Sequence, residues 1–316
     1  MRLWSIGNYH YTVMQWLFLF YFYCFCGWCI ESAYVSAKSG KLVNRGFMRG
    51  PFLPLYGSGG MMMLIVSAPF QDHIVLVYIA GCIGATVLEY ITGVTMEALF
   101  KVRYWDYSNQ PFQFQGHICL GTSLSWGGLT ILMTQFVHKP VERFLLAMPL
   151  EILAPVTAVL TVILSVDFAL SCKAALDIRD ILVKLEKAKE ELEHISKRLD
   201  VMIAFANEER EHHKVERNGK RRLESLKAGL EERFEHIKTS FAAKPEEYKE
   251  SEREEFLSLR EKYHVNLELT RQLKSLKDIY KRGMLKGNPT MASGKFKEAL
   301  EELKEAVSDR RKDNKR

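Results

Sequence analysis

The chain has 316 residues, with 44 Lys plus Arg, 38 Asp plus Glu, six Cys and a hydrophobic fraction of 47%. Charge is segregated along it. No Asp, Glu, Lys or Arg stands between Arg2 and Glu31, Arg49 and Asp72, Asp72 and Glu89, or Asp106 and Lys139, while residues 173–316 hold 35 of the 44 bases and 30 of the 38 acids. This excludes a single soluble globule and a disordered chain, and predicts an all-α protein: a polytopic membrane helix bundle over 1–172 and a charged tail over 173–316.

A spanning helix needs about 20 mostly apolar residues. The charge-poor stretches predict about five spans, near 12–35, 52–70, 74–100, 118–138 and 147–171. The first is too long for a signal peptide and lacks a basic flank and a small-residue cleavage site, so it is expected to be retained. Lys38, Lys41, Arg45 and Arg49 follow span 1, Lys101 and Arg103 follow span 3, and the basic tail follows span 5. The opposite side offers only Arg2, Lys139 and Arg143. The asymmetry places the N-terminus outside and the tail in the cytoplasm of an inner membrane. Span 2 carries Pro54 and Gly57-Ser58-Gly59-Gly60, which predict a broken or re-entrant segment covered by protein or a watery cavity.

Three carboxylates fall where hydrocarbon is expected: Glu31, Glu89 and Glu97. An intramembrane acid normally faces a bundle interior or water. Glu89 lies roughly 12 Å deeper than Glu97, on a shared broad face. These acids predict a polar pocket open to the cytoplasm, against the plainer reading that they snorkel or pair with Arg45, Arg49 or Arg103. The Gly- and Pro-rich loop at 44–57, with Arg49 and Tyr56, predicts a tightly turned entry to span 2. The loop at 101–117 holds Arg103, Trp105, Asp106, Tyr107 and Ser108. Its aromatics suit an interfacial belt, and Asp106 suits a turn cap or a ligand. Both loops fall on one side, which predicts a joint site. The glycines of the spans suit close helix packing.

These blocks, taken in order, resemble the bacterial membrane family described as type IV ABC-transporter permeases. Trp28–Glu31, Gly46–Gly57, Leu88-Glu89-Tyr90-Ile91-Thr92-Gly93, Trp105-Asp106-Tyr107-Ser108, Pro111-Phe112 and Gly116–Leu120 carry the resemblance, which covers roughly residues 15–140. It implies a permease-like transport subunit. The positions it carries over are Glu31, Arg49, Gly50, Pro51, Pro54, Tyr56 and Gly57, then Glu89, Tyr90 and Trp105 to Ser108. The pattern leads us to expect Asn where Gln113 stands and Arg where His117 stands.

No Walker A loop occurs: Gly294-Lys295 is followed by Phe296. ATP hydrolysis would therefore come from a separate ATPase subunit. No His-Glu-x-x-His helix occurs, and Cys24, Cys26 and Cys29 lie in an apolar helix, so neither a metal nor a cofactor is expected. His117 and Ser123 are six residues apart, on opposite helix faces, which argues against a hydrolase. The chain is not expected to be an enzyme.

In the tail, Ile178, Ile181, Leu185, Ala188, Leu192, Ile195, Leu199, Met202 and Ala206 alternate steps of three and four, a coiled-coil seam. Asn218-Gly219 and Lys244-Pro245 break the helix, and further amphipathic stretches run to 241, over 246–282 and near 294–308. The breaks favour an antiparallel coiled-coil bundle over a projecting homo-oligomeric coiled coil. The basic groups at 217–222 and 310–312 read as solvated charge, and no nucleic-acid partner is expected beside the lipid bilayer. The alternative to a permease is a membrane-anchored scaffold or sensor acting through this tail. A lipid-modifying enzyme ranks behind both.

Overall fold

The computed structural model describes residues 3–206, 223–243, 250–276 and 278–313. The chain divides into two compact units, Met1–Arg179 with Lys277–Lys295, and Asp180–Leu276 with Phe296–Arg316. A short segment of the tail, Lys277–Lys295, thus groups with the first unit.

The first unit opens with a hairpin of β1 (Leu3–Ile6) and β2 (Tyr9–Thr12), ahead of the first predicted span. Gly7 makes the turn at φ 55°, a left-handed conformation that glycine adopts without strain. Thr12 then caps α1 (Val13–Ser39): its hydroxyl accepts from the Gln15 amide while the Gln15 side chain accepts from the Thr12 amide. Next come α2 (Pro54–Ser67) and α3 (Ile74–Phe100). A hairpin of two-residue strands, β3 (Gln113–Phe114) and β4 (Ile118–Cys119), leads into α4 (Leu120–Leu132). A π turn at Met133–Val137 joins α4 to α5 (His138–Ala147), and α6 (Leu150–Ala206) follows.

The chain is overwhelmingly helical, and α1, α3 and the Leu150–Ile203 stretch of α6 are long and apolar enough to cross a membrane. The other two predicted spans are shorter helices. α2 has 14 residues, about 21 Å at 1.5 Å per residue, against a hydrocarbon core of about 30 Å. α4 has 13 before the π turn, and α5 beyond it carries Lys139, Glu142 and Arg143.

Burial explains which faces meet. Along α3 the buried positions Val77, Gly81, Ala85, Glu89 and Gly93 recur every four residues, and Ile79, Ile83, Val87 and Ile91 are exposed. α6 exposes Val156, Val159, Ile163 and Val166 in the same manner. Apolar side chains outward and small ones inward is the pattern of helices solvated by lipid. The glycines are contact points. A Cβ on Gly81 would lie 2.2 Å from Thr130 Oγ1 of α4, and one on Gly57 of α2 would lie 2.3 Å from Cys24 Sγ of α1.

In the second unit, α7 (Leu223–Ala243), α8 (Glu250–Lys274) and α10 (Lys297–Asp313) join the C-terminal part of α6. Leu192, Ile195, Leu199, Leu230, Phe234 and Phe256 belong to one buried cluster. α8 runs antiparallel to α6, since Arg198 pairs with Glu255 and Glu191 with Asn266. α10 joins through Lys189–Glu298 and Lys274–Glu302. The helix expected over 246–282 ends at Lys274, and Asp278 caps a separate helix, α9 (Ile279–Gly287), which belongs to the first unit. The breaks at 218–219 and 244–245 and the basic group at 217–222 lie outside the described residues.

Candidate functional site

The first unit holds an open cavity of about 980 Å³, lined by α1, α2, α3, α4 and α6 and by the loops at 44–57 and 101–117. Glu31, Arg45, Tyr56, Glu89, Trp105 and Tyr107 all line it. Glu89 is 5% exposed. Its Oε1 accepts from the Tyr107 hydroxyl at 3.1 Å and its Oε2 from the Trp126 indole N–H at 2.9 Å. Among the described residues no ion pair reaches it. α3 places Glu89 here because it continues the small-residue stripe that faces α4. Glu31, from α1, accepts from the Tyr56 hydroxyl at 2.6 Å and lies 3.8 Å from Arg45 Nε. Burial pulls the Arg45 guanidinium below its ordinary pKa, while the charge of Glu31 raises it. Burial pushes the Tyr107 hydroxyl up, and the Glu89 charge adds to it.

Five of the residues singled out in the sequence stand elsewhere. Glu97 pairs with Arg103 at 2.8 Å and with His117 at 3.1 Å, and Arg103 reaches Asp106 at 3.6 Å. Asp106 Oδ1 accepts from the Ser108 amide at 3.0 Å and its hydroxyl at 2.5 Å, so it caps the turn. Burial raises the Asp106 carboxyl, but the Ser108 hydrogen bonds and Arg103 outweigh it and hold the pKa below the usual carboxylate value. This cluster does not line the cavity. It holds the loop in shape, with Gly116 at φ 73° and the Trp105 indole donating to the His117 carbonyl at 3.0 Å. Gln113 accepts from the Gly116 amide. Both Gln113 and His117 thus have defined partners although they depart from the expected motif. Arg49 is exposed and stacks over the Tyr280 ring at 5.4 Å.

The sequence reading missed two contributors. Trp126, on α4, has no local motif that marks it. The other is the segment 279–293, which straps the two loops together. The Asn288 amide donates to the Gly46 carbonyl at 2.8 Å and its oxygen accepts from Arg45 at 3.0 Å, and Asn288 lines the cavity. Arg103 and Ala292 exchange both backbone hydrogen bonds, at 2.7 and 2.9 Å. The Ser293 hydroxyl donates to the Lys101 carbonyl, and Lys281 pairs with Asp177. The only local signal was Gly287, where a Cβ would lie 2.4 Å from the Asn44 carbonyl oxygen.

Residues 18–172 match the model of the family described as "Putative ABC-transporter type IV". This stretch of the chain is similar to that family. The family match takes in α1 through the apolar part of α6, and with them every cavity-lining residue except Asn288. The N-terminal hairpin, the strap and the second unit lie outside it. No curated protein and no solved structure matches the chain.

Proposed function

We propose that the chain is the membrane-embedded, permease-type subunit of an ABC transport system. The observation that carries this is the cavity itself. Residues of the family-matched stretch line it, and a buried carboxylate opens onto it. In this reading α2 and α4 complete a five-segment membrane domain, and their short length is tolerated because neighbouring helices cover them. The loops at 44–57 and 101–117 form the cytoplasmic mouth of the cavity, in a cell membrane that leaves the second unit inside. A separate subunit supplies ATP hydrolysis. Capture of the full chain through its tail in a gentle detergent, read by mass spectrometry, tests this. The expected result is a stoichiometric ATPase.

A scaffold or sensor is the second reading. It draws support from the second unit, whose own buried cluster gives it a core independent of the cavity. A soluble, non-ATPase partner in the same experiment would favour it.

A further inference from the structure

We infer that the cavity binds an organic cation, held by the Glu89 carboxylate against aromatic rings. This names a ligand class for the site on which the permease reading rests. The charges of the lining do not balance. Its acids are Glu31 and Glu89, and its one Arg or Lys is Arg45. Arg45 is already committed to Glu31, to the Asn288 side chain and to Thr290. Glu89 has a phenol and an indole as partners, both neutral. A buried carboxylate without a cation is costly, and two neutral donors offset only part of that cost. A positively charged ligand supplies the rest.

The rings set its chemistry. Tyr56, Tyr104, Trp105, Tyr107 and Trp126 line the same space as Glu89. Aromatic faces attract cations, and Trp does so best; sets of such rings recognise quaternary ammonium groups. An inorganic ion is a poorer fit. A hard cation takes about six or more oxygen ligands at short range, and each Glu89 oxygen already accepts a hydrogen bond. The volume of about 980 Å³ is at the upper end of the range for a drug-sized molecule, roughly 300–1,000 Å³. A cationic head at Glu89 and an apolar body along Met96, Leu129 and Leu132 would fill it.

The test is titration calorimetry on the full chain in gentle detergent. The probe is benzyltriethylammonium chloride, and sodium benzenesulfonate is the anionic comparison. Saturable binding of the ammonium, little or none of the sulfonate, and at least tenfold weaker ammonium binding by Glu89→Gln are expected. Glu89→Asp, which keeps the charge, should recover part of the loss. The inference falls if the wild-type chain does not bind the ammonium saturably, if it binds the sulfonate equally well, or if Glu89→Gln leaves ammonium binding unchanged. Should Glu89→Gln fail to fold, the cation-to-anion comparison on the wild-type chain still decides. No ATPase or transport enters the measurement. Ammonium binding by a chain that captures no ATPase would sink the permease reading alone. Capture of an ATPase by a chain that prefers the sulfonate would sink this inference alone.

Discussion

Replacing Asn288 by Ala tests whether the strap is held as the contacts imply. The Asn288 side chain is 1% exposed. It donates to the Gly46 carbonyl at 2.8 Å and the Met284 carbonyl at 2.9 Å, and accepts from the Arg45 guanidinium at 3.0 Å. Alanine removes all three. The bond to a charged donor contributes about 1.5–3 kcal/mol, and a buried acceptor left unpaired costs about 1–3 kcal/mol. Met284 retains the Asn288 backbone amide as a partner at 3.1 Å, so its loss is small. Together these weaken strap docking by about 2.5–6 kcal/mol, a factor of roughly 70 or more in the docked-to-undocked ratio. Hydrogen exchange read by mass spectrometry follows this directly. The amides of Arg103 and Ala292 bond to each other's carbonyls, and their exchange should speed up by that factor while α1 and α3 keep their protection. Unchanged exchange at Arg103 and Ala292 would show that Asn288 does not hold the strap.

Gly27→Ala would place a Cβ 2.2 Å from Tyr56 Cβ, so α1 and α2 must part. Overpacking of this kind costs about 1–3 kcal/mol, and a lower thermal midpoint in detergent with loss of the Tyr56–Glu31 contact is expected. Phe234→Ala empties a site packed by Phe256 and Tyr263 in the second unit. A loss of about 3–5 kcal/mol should appear as unfolding of that unit in a helicity melt. Asp106 has a depressed folded-state pKa, so its contribution is present above the ordinary carboxylate value of about 3.9 and disappears as pH falls through the lower folded value. Exchange of the Ser108 amide should therefore rise, beyond its intrinsic pH dependence, on acidification below about pH 4. Asp106→Asn should abolish that rise.

The membrane part was readable because its signals are local. Charge-poor apolar runs mark the long helices: α1 falls on the charge-free run 3–30, α3 on 73–88 with Glu89 directly after it, and α6 on 152–166. Glu89 stood out as an acid inside one of them. Its neighbours every four residues, Val77, Gly81, Ala85 and Gly93, also mark the face it shares. The periodic tail positions Leu185, Ala188, Leu192, Ile195 and Leu199 are buried. What stayed hidden depends on distance in sequence. Glu97 and Glu89 look alike in the chain, yet Arg103 and His117 claim Glu97 and two neutral donors claim Glu89. The strap is held by Asn288, Thr290, Ser293 and one backbone pair to loops more than 180 residues earlier, which no local pattern announces. The hairpin at 3–12 precedes the first apolar run so closely that its alternating residues merged with it.

The Thr290 hydroxyl that donates to the Tyr104 carbonyl is 186 residues further along the chain. Ribosomes add about 5–20 residues per second, and chains fold from the N-terminus as they emerge. Roughly 10–40 s therefore separate the synthesis of the loop at 101–117 from that of its strap. During this interval the nascent membrane unit holds its cavity with Arg45 short of three acceptors and with the Gly46 carbonyl unclaimed. A chain that stops before residue 279 remains in that state permanently. The unstrapped form is thus an obligatory stage in the making of every molecule.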